Sequence, residues 1–383
     1  MIRDVAIAGA GPVGATLALA LAHADLDIVV LDARAEGESA HERTLAISHG
    51  ARLIFERVGV WTPLVATQGA VTPIVAIDVS QARGFGAVRL EASEQSLPAL
   101  GYVVSYRALA NALDDALKRA GIDVRFGTAV RSVIGSRDCA TLDLGAAHDA
   151  IDARLAVVAD GAGAAVEGIG RRRHDYRQVA IVASVSIDRP HHGVAYERFT
   201  PDGPIALLPQ RDHYALVWTR KPADADAALA LDERAFVAAL RAHFGSRMRG
   251  FSGARERRAF PLALEVARQV VAPRTAVIGN AAQALHPIAA LGFNLGLRDA
   301  FELARAIVDA PRDAIGAKAM LARYARLRAS DRKMAIAFTD GLVRLFANDV
   351  SWLHIPRGVG MMVLDVAPFA KRAFAHAMLF GVH

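Results

Sequence analysis

The sequence predicts an α/β fold in which a Rossmann-like domain is interleaved with an antiparallel-sheet domain and followed by C-terminal helices. Three observations predict it. The first is a strand, a glycine turn and a helix at the amino terminus, Asp4-Val-Ala-Ile-Ala-Gly9-Ala-Gly11-Pro12-Val13-Gly14 and onward, followed by a second apolar strand that ends in Asp32. The second is period-two alternation in which Val179, Ile181, Ala183, Val185 and Ile187 share one face. The third is a late strand, loop and helix between Thr275 and Asp299.

The 383 residues suffice for two domains, or one large α/β body with an inserted sheet. Hydrophobic residues make up 53%, yet no apolar run is long enough to span a bilayer, so a cytoplasmic protein, soluble or peripheral on the inner membrane face, is expected. Asp4 and the glycine turn interrupt the Ala/Leu-rich stretch that would otherwise mimic a signal peptide. A single cysteine, Cys139, excludes an internal disulfide, and no CxxC or HExxH pattern offers a metal site. The net charge of +6 is spread over scattered arginines, and Arg171-Arg172-Arg173 lacks interleaved aromatics, which argues against nucleic acid. Such charge suits an anionic membrane surface or a reduced nucleotide.

Residues 1–70 form the first nucleotide-binding segment. In the turn, Gly9 permits the tight bend, Gly11 lets backbone approach a pyrophosphate, and Gly14 lets the helix pack on the strand. Pro12 and Val13 lie within this turn, and the helix that follows from Ala15 to Ala24 turns its N-terminus to the anion. Asp32 stands where a carboxylate hydrogen-bonds the adenosine ribose, and Ala33 and Arg34 follow. Arg34 can be read as a phosphate partner, so this motif alone does not separate FAD from NAD or NADP. Arg43 is either a cation reaching a bound cofactor or a surface residue.

Residues 71–102 alternate between Gly and Pro breakers and read as strands of the substrate domain. Residues 103–175 return to the nucleotide domain. Leu109, Leu113 and Leu117 give a buried-face helix from Ala108 to Ala120, with Arg107 at its start facing a phosphate or a neighbouring carboxylate. A hairpin is expected over 130–144, and the apolar run from Leu155 ends in Asp160-Gly161, a strand tip expected to meet the cofactor or else a plain turn.

Residues 176–264 form the antiparallel substrate sheet. Tyr196, Phe199, Leu208, Tyr214 and Trp218 wall an apolar pocket or pack as core, and one helix is expected over 229–244. Residues 265–335 carry the late signal, with Gly279 and Asn280 at the strand tip, Pro287 in the loop, and Gly292, Phe293 and Asn294 at a helix N-terminus that offers free N–H groups to an electron-rich ring edge. His286, before Pro287, is either an acid or base or a structural histidine. Residues 336–383 form the C-terminal helical segment.

These motifs together resemble the group A flavoprotein monooxygenases, the FAD-dependent aromatic hydroxylases of the p-hydroxybenzoate hydroxylase type, over nearly the full length. Gly9 to Gly14 with Asp32 matches that family's FAD clamp, Arg43 and Arg107 its two arginines near the cofactor, Asp160-Gly161 its Asp-Gly motif, and Gly279-Asn280 through Asn294 its second FAD motif. Gly203-Pro-Ile-Ala-Leu-Leu-Pro209, Phe260-Pro-Leu-Ala-Leu264 and Gly279-Asn-Ala-Ala-Gln-Ala-Leu-His-Pro-Ile-Ala289 are most similar to the ubiquinone-biosynthesis branch, in particular its 2-polyprenyl-6-methoxyphenol hydroxylases.

The resemblance implies an FAD-binding domain of the glutathione-reductase type. It also implies a reaction in which NAD(P)H reduces the flavin, O2 adds to give a C4a-hydroperoxide, and a polyprenylated phenol ring is hydroxylated. The implied partners are a hydrophobic phenolic substrate and a membrane or ubiquinone-biosynthesis complex. Three departures stand out. The family's Gly-Gln-Gly beside the flavin reads Ala290-Leu291-Gly292, its second-motif Asp reads Asn280, and a serine and an arginine after Asp160-Gly161 read Ala164 and Glu167. The second is familiar in this branch; the first and third keep open a catalytically impaired binding or assembly subunit, beside the enzyme alternative of a flavin hydroxylase of another small aromatic. The segment from Val359, rich in Met and Phe, covers the core with one face and contacts membrane or a partner with the other, or simply packs as core.

Overall fold

In a computed structural model, which describes residues 2–38, 43–82, 84–146, 148–161, 163–244, 250–348 and 350–382, the chain folds into interleaved α/β layers. The central sheet sets Ile28–Leu31, Arg3–Ala8, Ile151–Val158 and Thr275–Val277 side by side and parallel. These strands are almost wholly buried and nearly all apolar, because helices cover a parallel sheet on its faces. The main core lies between this sheet and the helices Pro12–Leu21, Tyr106–Arg119 and Leu291–Val308. Pro12 at the first helical position spends no donor, and the Ser105 hydroxyl caps the second helix by accepting from Ala108 N at 3.3 Å. The hairpin over 132–143 extends the sheet beside Ile151–Val158.

The second sheet runs in the order 283–284, 251–267, 171–187, 213–220, 203–210, 194–200, 76–81, 87–91. Its two 17-residue strands, Arg171–Ile187 and Phe251–Ala267, pair along their length, from Arg171 opposite Ala267 to Ile187 opposite Phe251. One face is covered by two helices, Pro222–Ala230 and Glu233–Phe244, where the sequence predicts one. Leu231 turns extended, and the Asp232 carboxylate accepts from Ala235 N at 2.7 Å to start the second helix. Tyr214 and Trp218 are buried under these helices with Phe236, so they are core and not pocket walls. Strand alternation explains it, since Tyr214, Leu216 and Trp218 share the face opposite to Ala195, Glu197 and Phe199.

A small antiparallel sheet of Thr44–Ser48, Gly101–Ser105 and Val71–Ile74 fills the junction between the two. The carboxy-terminal helices are Lys318–Phe346, His354–Val366 and Pro368–Phe380. They are joined to the nucleotide domain by buried ions. Fully buried Asp331 accepts from Arg298 Nε at 2.8 Å and Arg328 Nη2 at 2.7 Å, and Arg328 Nε donates to Asp299 at 2.8 Å. Asp299 also accepts from Gln283 Nε2 at 2.7 Å and from Gly279 N at 3.4 Å, which ties the late strand tip to the same network.

Candidate active site

A cavity of about 770 Å³ opens at the C-terminal ends of the parallel strands, lined by Gly9, Gly11, Pro12, Asp32, Ala33, Arg34, Arg43, Asp160 and neighbouring residues. Its glycines are needed there. A Cβ on Gly9, whose φ is +104°, would come within 2.8 Å of the Ala159 backbone, and one on Gly14 would sit 1.9 Å from Gly9 O. A Cβ on Gly11 would meet nothing within 4 Å, so the open space beside it is available to a ligand. Val13 packs on Gly279, which has φ +62°, and holds the first and late motifs together.

Asp32 is fixed by two backbone donors, Ala10 N at 2.6 Å to one oxygen and Arg34 N at 2.9 Å to the other, and each oxygen keeps further acceptor capacity for a ribose. The Arg34 guanidinium donates to Asp114 at 2.6 Å and lies over the Phe126 ring, so it is engaged with protein groups at the cavity wall. Arg43 stacks on Tyr106 with 3.8 Å from its guanidinium carbon to the ring centroid, and both line the cavity. Arg107 is exposed at the start of its helix and is not one of the lining residues. One Asp160 oxygen accepts from Ala164 N at 2.7 Å, and the other is buried without a partner. Gly161 has φ +91° and open space beside it. An orphaned carboxylate oxygen at a strand tip fits a polyol hydroxyl, so the residues present suit a dinucleotide with an extended linker.

The late motif lies between this cavity and the second sheet. Asn280 is exposed and Gly292 half-buried, while Phe293 packs on Phe55. The Asn294 amide is used structurally: its oxygen accepts from Ser48 N at 2.8 Å, and its nitrogen donates to Ala290 O at 2.7 Å and Ala46 O at 3.3 Å. What this segment can offer a ligand is therefore the backbone N–H groups that open the helix Leu291–Val308. Ala289 and Ala290 both have left-handed backbone, φ 56° and 50°. Ala290 thus adopts without glycine the geometry glycine would take freely, at a cost on the order of 1 kcal/mol that the Asn294 clasp offsets. His286 is buried, its Nδ1 accepts from Ile288 N at 3.2 Å, and its ring meets Tyr176 edge-on. Burial holds its pKa down at about 4, so it stays neutral and fits the structural reading.

A second, smaller cavity of about 120 Å³ lies between the Pro287–Ala290 loop and the substrate sheet. Its walls are Ala46, Ile74, Ile77, Leu208, Val217, Ile288 and similar apolar residues, with Glu197 and Thr219 the polar residues whose side chains alternate to this face and Tyr196 next to Glu197, its ring beside Tyr214 on the other face. Of the five aromatic and apolar residues expected to wall a pocket, Leu208 does so, Tyr196 lies in the wall with its ring packed on Tyr214 instead, and Phe199 packs in the adjoining apolar cluster. Glu197 and Thr219 were not foreseen. A volume of this order accommodates one aromatic ring, since an apolar cavity of about 150 Å³ binds benzene.

A family profile described as FAD binding domain matches residues 3–339. The chain belongs to this FAD-binding family. FAD is its cofactor. Within the family, the chain is 35% identical to the ubiquinone hydroxylase UbiL of Rhodospirillum rubrum across 98% of this chain and 90% of that protein. It is 31% identical to the 3-demethoxyubiquinol 3-hydroxylase of Escherichia coli across 96% of each. The human ubiquinone biosynthesis monooxygenase COQ6 is 26% identical, with 98% of this chain and 92% of that protein covered. Among solved structures, p-nitrophenol 4-monooxygenase PnpA of Pseudomonas putida superposes with a TM-score of 0.80 at 17% identity, covering 100% of this chain and 99% of that one, a likeness of fold. The resemblance to FAD-dependent aromatic hydroxylases of the ubiquinone branch, and the fold class it implied, hold.

Proposed function

We propose that this FAD-dependent monooxygenase uses NAD(P)H and O2 to hydroxylate the ring of an uncharged, prenylated phenol in ubiquinone biosynthesis. The observation that carries the substrate class is the small cavity: apolar, of ring size, with a carboxyl as the only charged group among its described lining residues. An aromatic acid would enter it without a cationic partner and beside a like charge, which costs several kcal/mol in an apolar enclosure. This disfavours soluble aromatic acids as substrates and favours a neutral phenol.

Bound FAD, once reduced, supplies the activation of O2. The chain's share is positioning and exclusion of water. The pyrophosphate would lie against the helix at Gly11 to Gly14, with the ribose on Asp32 and the linker hydroxyls on Asp160. Arg43, held flat by Tyr106, would face the cofactor from the opposite wall. Ala46, Ile74, Leu208, Val217 and Ile288 would pack on the phenol ring and keep the reacting space dry.

A prenyl chain has an apolar route out. Ile77 and Ile288 line the cavity and also belong to a cluster with Val88, Phe199, Phe346 and Met361, which reaches the helix His354–Val366. The outer face of that helix exposes Ile355, Val359, Met362, Val363 and Val366, flanked by Trp352 and Phe369. Among the described residues no helix is long and apolar enough to cross a membrane. The face therefore supports peripheral contact with a bilayer from which a long-tailed substrate is drawn.

The test is purification with FAD, followed by NAD(P)H oxidation and mass-spectrometric product analysis with 2-prenylphenol and, separately, 4-hydroxybenzoate. Hydroxylated prenylphenol is the expected product. Turnover of the acid alone, or a protein that neither binds nor reduces FAD, would overturn the reading.

A further inference from the structure

The substrate sheet places one carboxyl where an apolar cavity otherwise has none. On Val194–Thr200, alternation turns Ala195, Glu197 and Phe199 to the cavity side, with Ala206 and Val217 in register beside Glu197. Glu197 lines the cavity, and its Oε1 accepts from Ala289 N, in the left-handed pair of the loop, at 3.4 Å. That bond occupies one acceptor site of a group that has about four. A second polar atom has no hydrogen-bond partner among the described residues: the buried hydroxyl of Thr219, a residue that lines the same cavity. Unsatisfied polar groups in an apolar site are what a polar ligand is expected to complete.

We propose that Glu197 is the acid-base group of the hydroxylation, accepting the substrate's phenolic proton and orienting its oxygen, with the Thr219 hydroxyl serving a second oxygen substituent on the ring. The inference rests on the phenol hydroxylation proposed above. In the step, the phenol O–H bond breaks, a carboxyl O–H bond forms on Glu197, and the electron pair stays on the phenolate oxygen, which enriches the ring for attack on an electrophilic oxygen. The single negative charge is transferred within the cavity, so no ion enters or leaves. As product departs, the proton returns to its oxygen.

The surroundings suit this role. Burial in apolar surroundings pushes the Glu197 carboxyl up to about 7, against the donation from Ala289 N, which lowers it. Relative to the ordinary value of 4.5 this brings the carboxyl roughly three-hundredfold closer in proton affinity to a phenol. Among the described lining residues the other ionisable one is Tyr196. Val79 and Ala206 flank Glu197 on the neighbouring strands, and Ile288 and Ala289 face it from the loop. Tyr196 and Arg198 alternate to the other face, where Arg198 donates to Ser80 Oγ at 3.3 Å, and His286, before the loop, packs on Tyr176.

The experiment compares FAD-loaded wild type with Glu197→Gln, which keeps an acceptor oxygen for Ala289 N. Flavin content, melting temperature, and kcat and KM for 2-prenylphenol are measured from pH 6 to 9. Equilibrium dialysis gives the binding preference for 2-prenylphenol over its methyl ether. Wild-type kcat rises with pH through the ionisation of Glu197, and its preference for the phenol grows from pH 6 to 8. In Glu197→Gln, kcat at pH 8 falls by roughly 10²-fold or more with KM little changed, and the preference becomes independent of pH. A variant that matches wild type in kcat and both pH profiles overturns the assignment, as does one whose lost activity is matched by lost flavin. A wild type that hydroxylates no phenol refutes the proposed function itself, a distinct outcome.

Discussion

Replacing Asp331 with alanine removes the centre of the buried ion network. The carboxylate is fully buried and accepts from Arg298 Nε at 2.8 Å, Arg298 Nη2 at 3.2 Å, Arg328 Nη2 at 2.7 Å and Val382 N at 3.3 Å. Burial alone would push its pKa up, but the Arg298 and Arg328 guanidiniums outweigh this and hold it below the ordinary value of 3.8. In the variant Arg328 keeps Asp299, whereas Arg298 loses both bonds to Asp331 while remaining buried. Breaking a buried pair from one side costs about 3–5 kcal/mol, a large share of a total stability on the order of 10 kcal/mol. For a chain of 383 residues that corresponds to a fall in Tm of roughly 5 °C. Urea unfolding followed by circular dichroism measures it as a lower midpoint at an unchanged slope. A loss under about 1 kcal/mol would refute the reasoning, because a buried guanidinium would then be tolerating the removal of its partner.

Gly14→Ala forces a Cβ to within 1.9 Å of Gly9 O and is expected to cost at least about 3 kcal/mol, whereas Gly11→Ala has open space, folds as wild type, and loses FAD affinity; melting curves and FAD titration separate the two. Because the folded-state pKa of Glu197 is raised from 4.5 to about 7, its contribution is fully present below pH 4.5 and is lost as pH rises through 7. Unliganded wild type should thus lose about 3 kcal/mol between these limits relative to Glu197→Gln, and parallel stability curves for the two would contradict it. Val363→Glu with Phe369→Glu, both at exposed positions, should leave melting unchanged and abolish flotation with phosphatidylglycerol vesicles; undiminished flotation would exclude this face as the bilayer contact.

The nucleotide-binding half was legible because its signals are local. A buried parallel strand reads as an unbroken apolar run, and Gly9, Gly11 and Gly14 act within one turn of each other. The substrate cavity was less legible. Alternation identified the strands, but the choice of face was made by aromatic content, and Tyr214 and Trp218 went to the helix-covered side. The useful signal was an acidic residue in step with apolar ones, Glu197 between Ala195 and Phe199. Asn294 could be read as part of a cofactor-facing turn, while its use as a clasp on Ser48, Ala46 and Ala290 depends on a strand nearly 250 residues away. The network of Arg298, Asp299, Arg328 and Asp331 had no sequence signal, since charges on helices ordinarily face water and only the closure of two helices buries them together.

The way the sheets are threaded also limits how the protein can be taken apart. Its backbone leaves the parallel sheet after Ile28–Leu31, supplies Ala76–Gln81 and Ala87–Glu91 to the second sheet, returns at Asp123–Arg125 and stays through Ile151–Val158, leaves again, and comes back at Thr275–Val277. Any contiguous fragment that contains one sheet whole also carries strands of the other, so neither can be excised by two cuts as a unit of its own. The long strands Arg171–Ile187 and Phe251–Ala267 pair along their whole length, with register irregularities after Asp175, Val182 and Ser186. Unfolding should be a single cooperative event in which flavin release and collapse of the phenol cavity coincide.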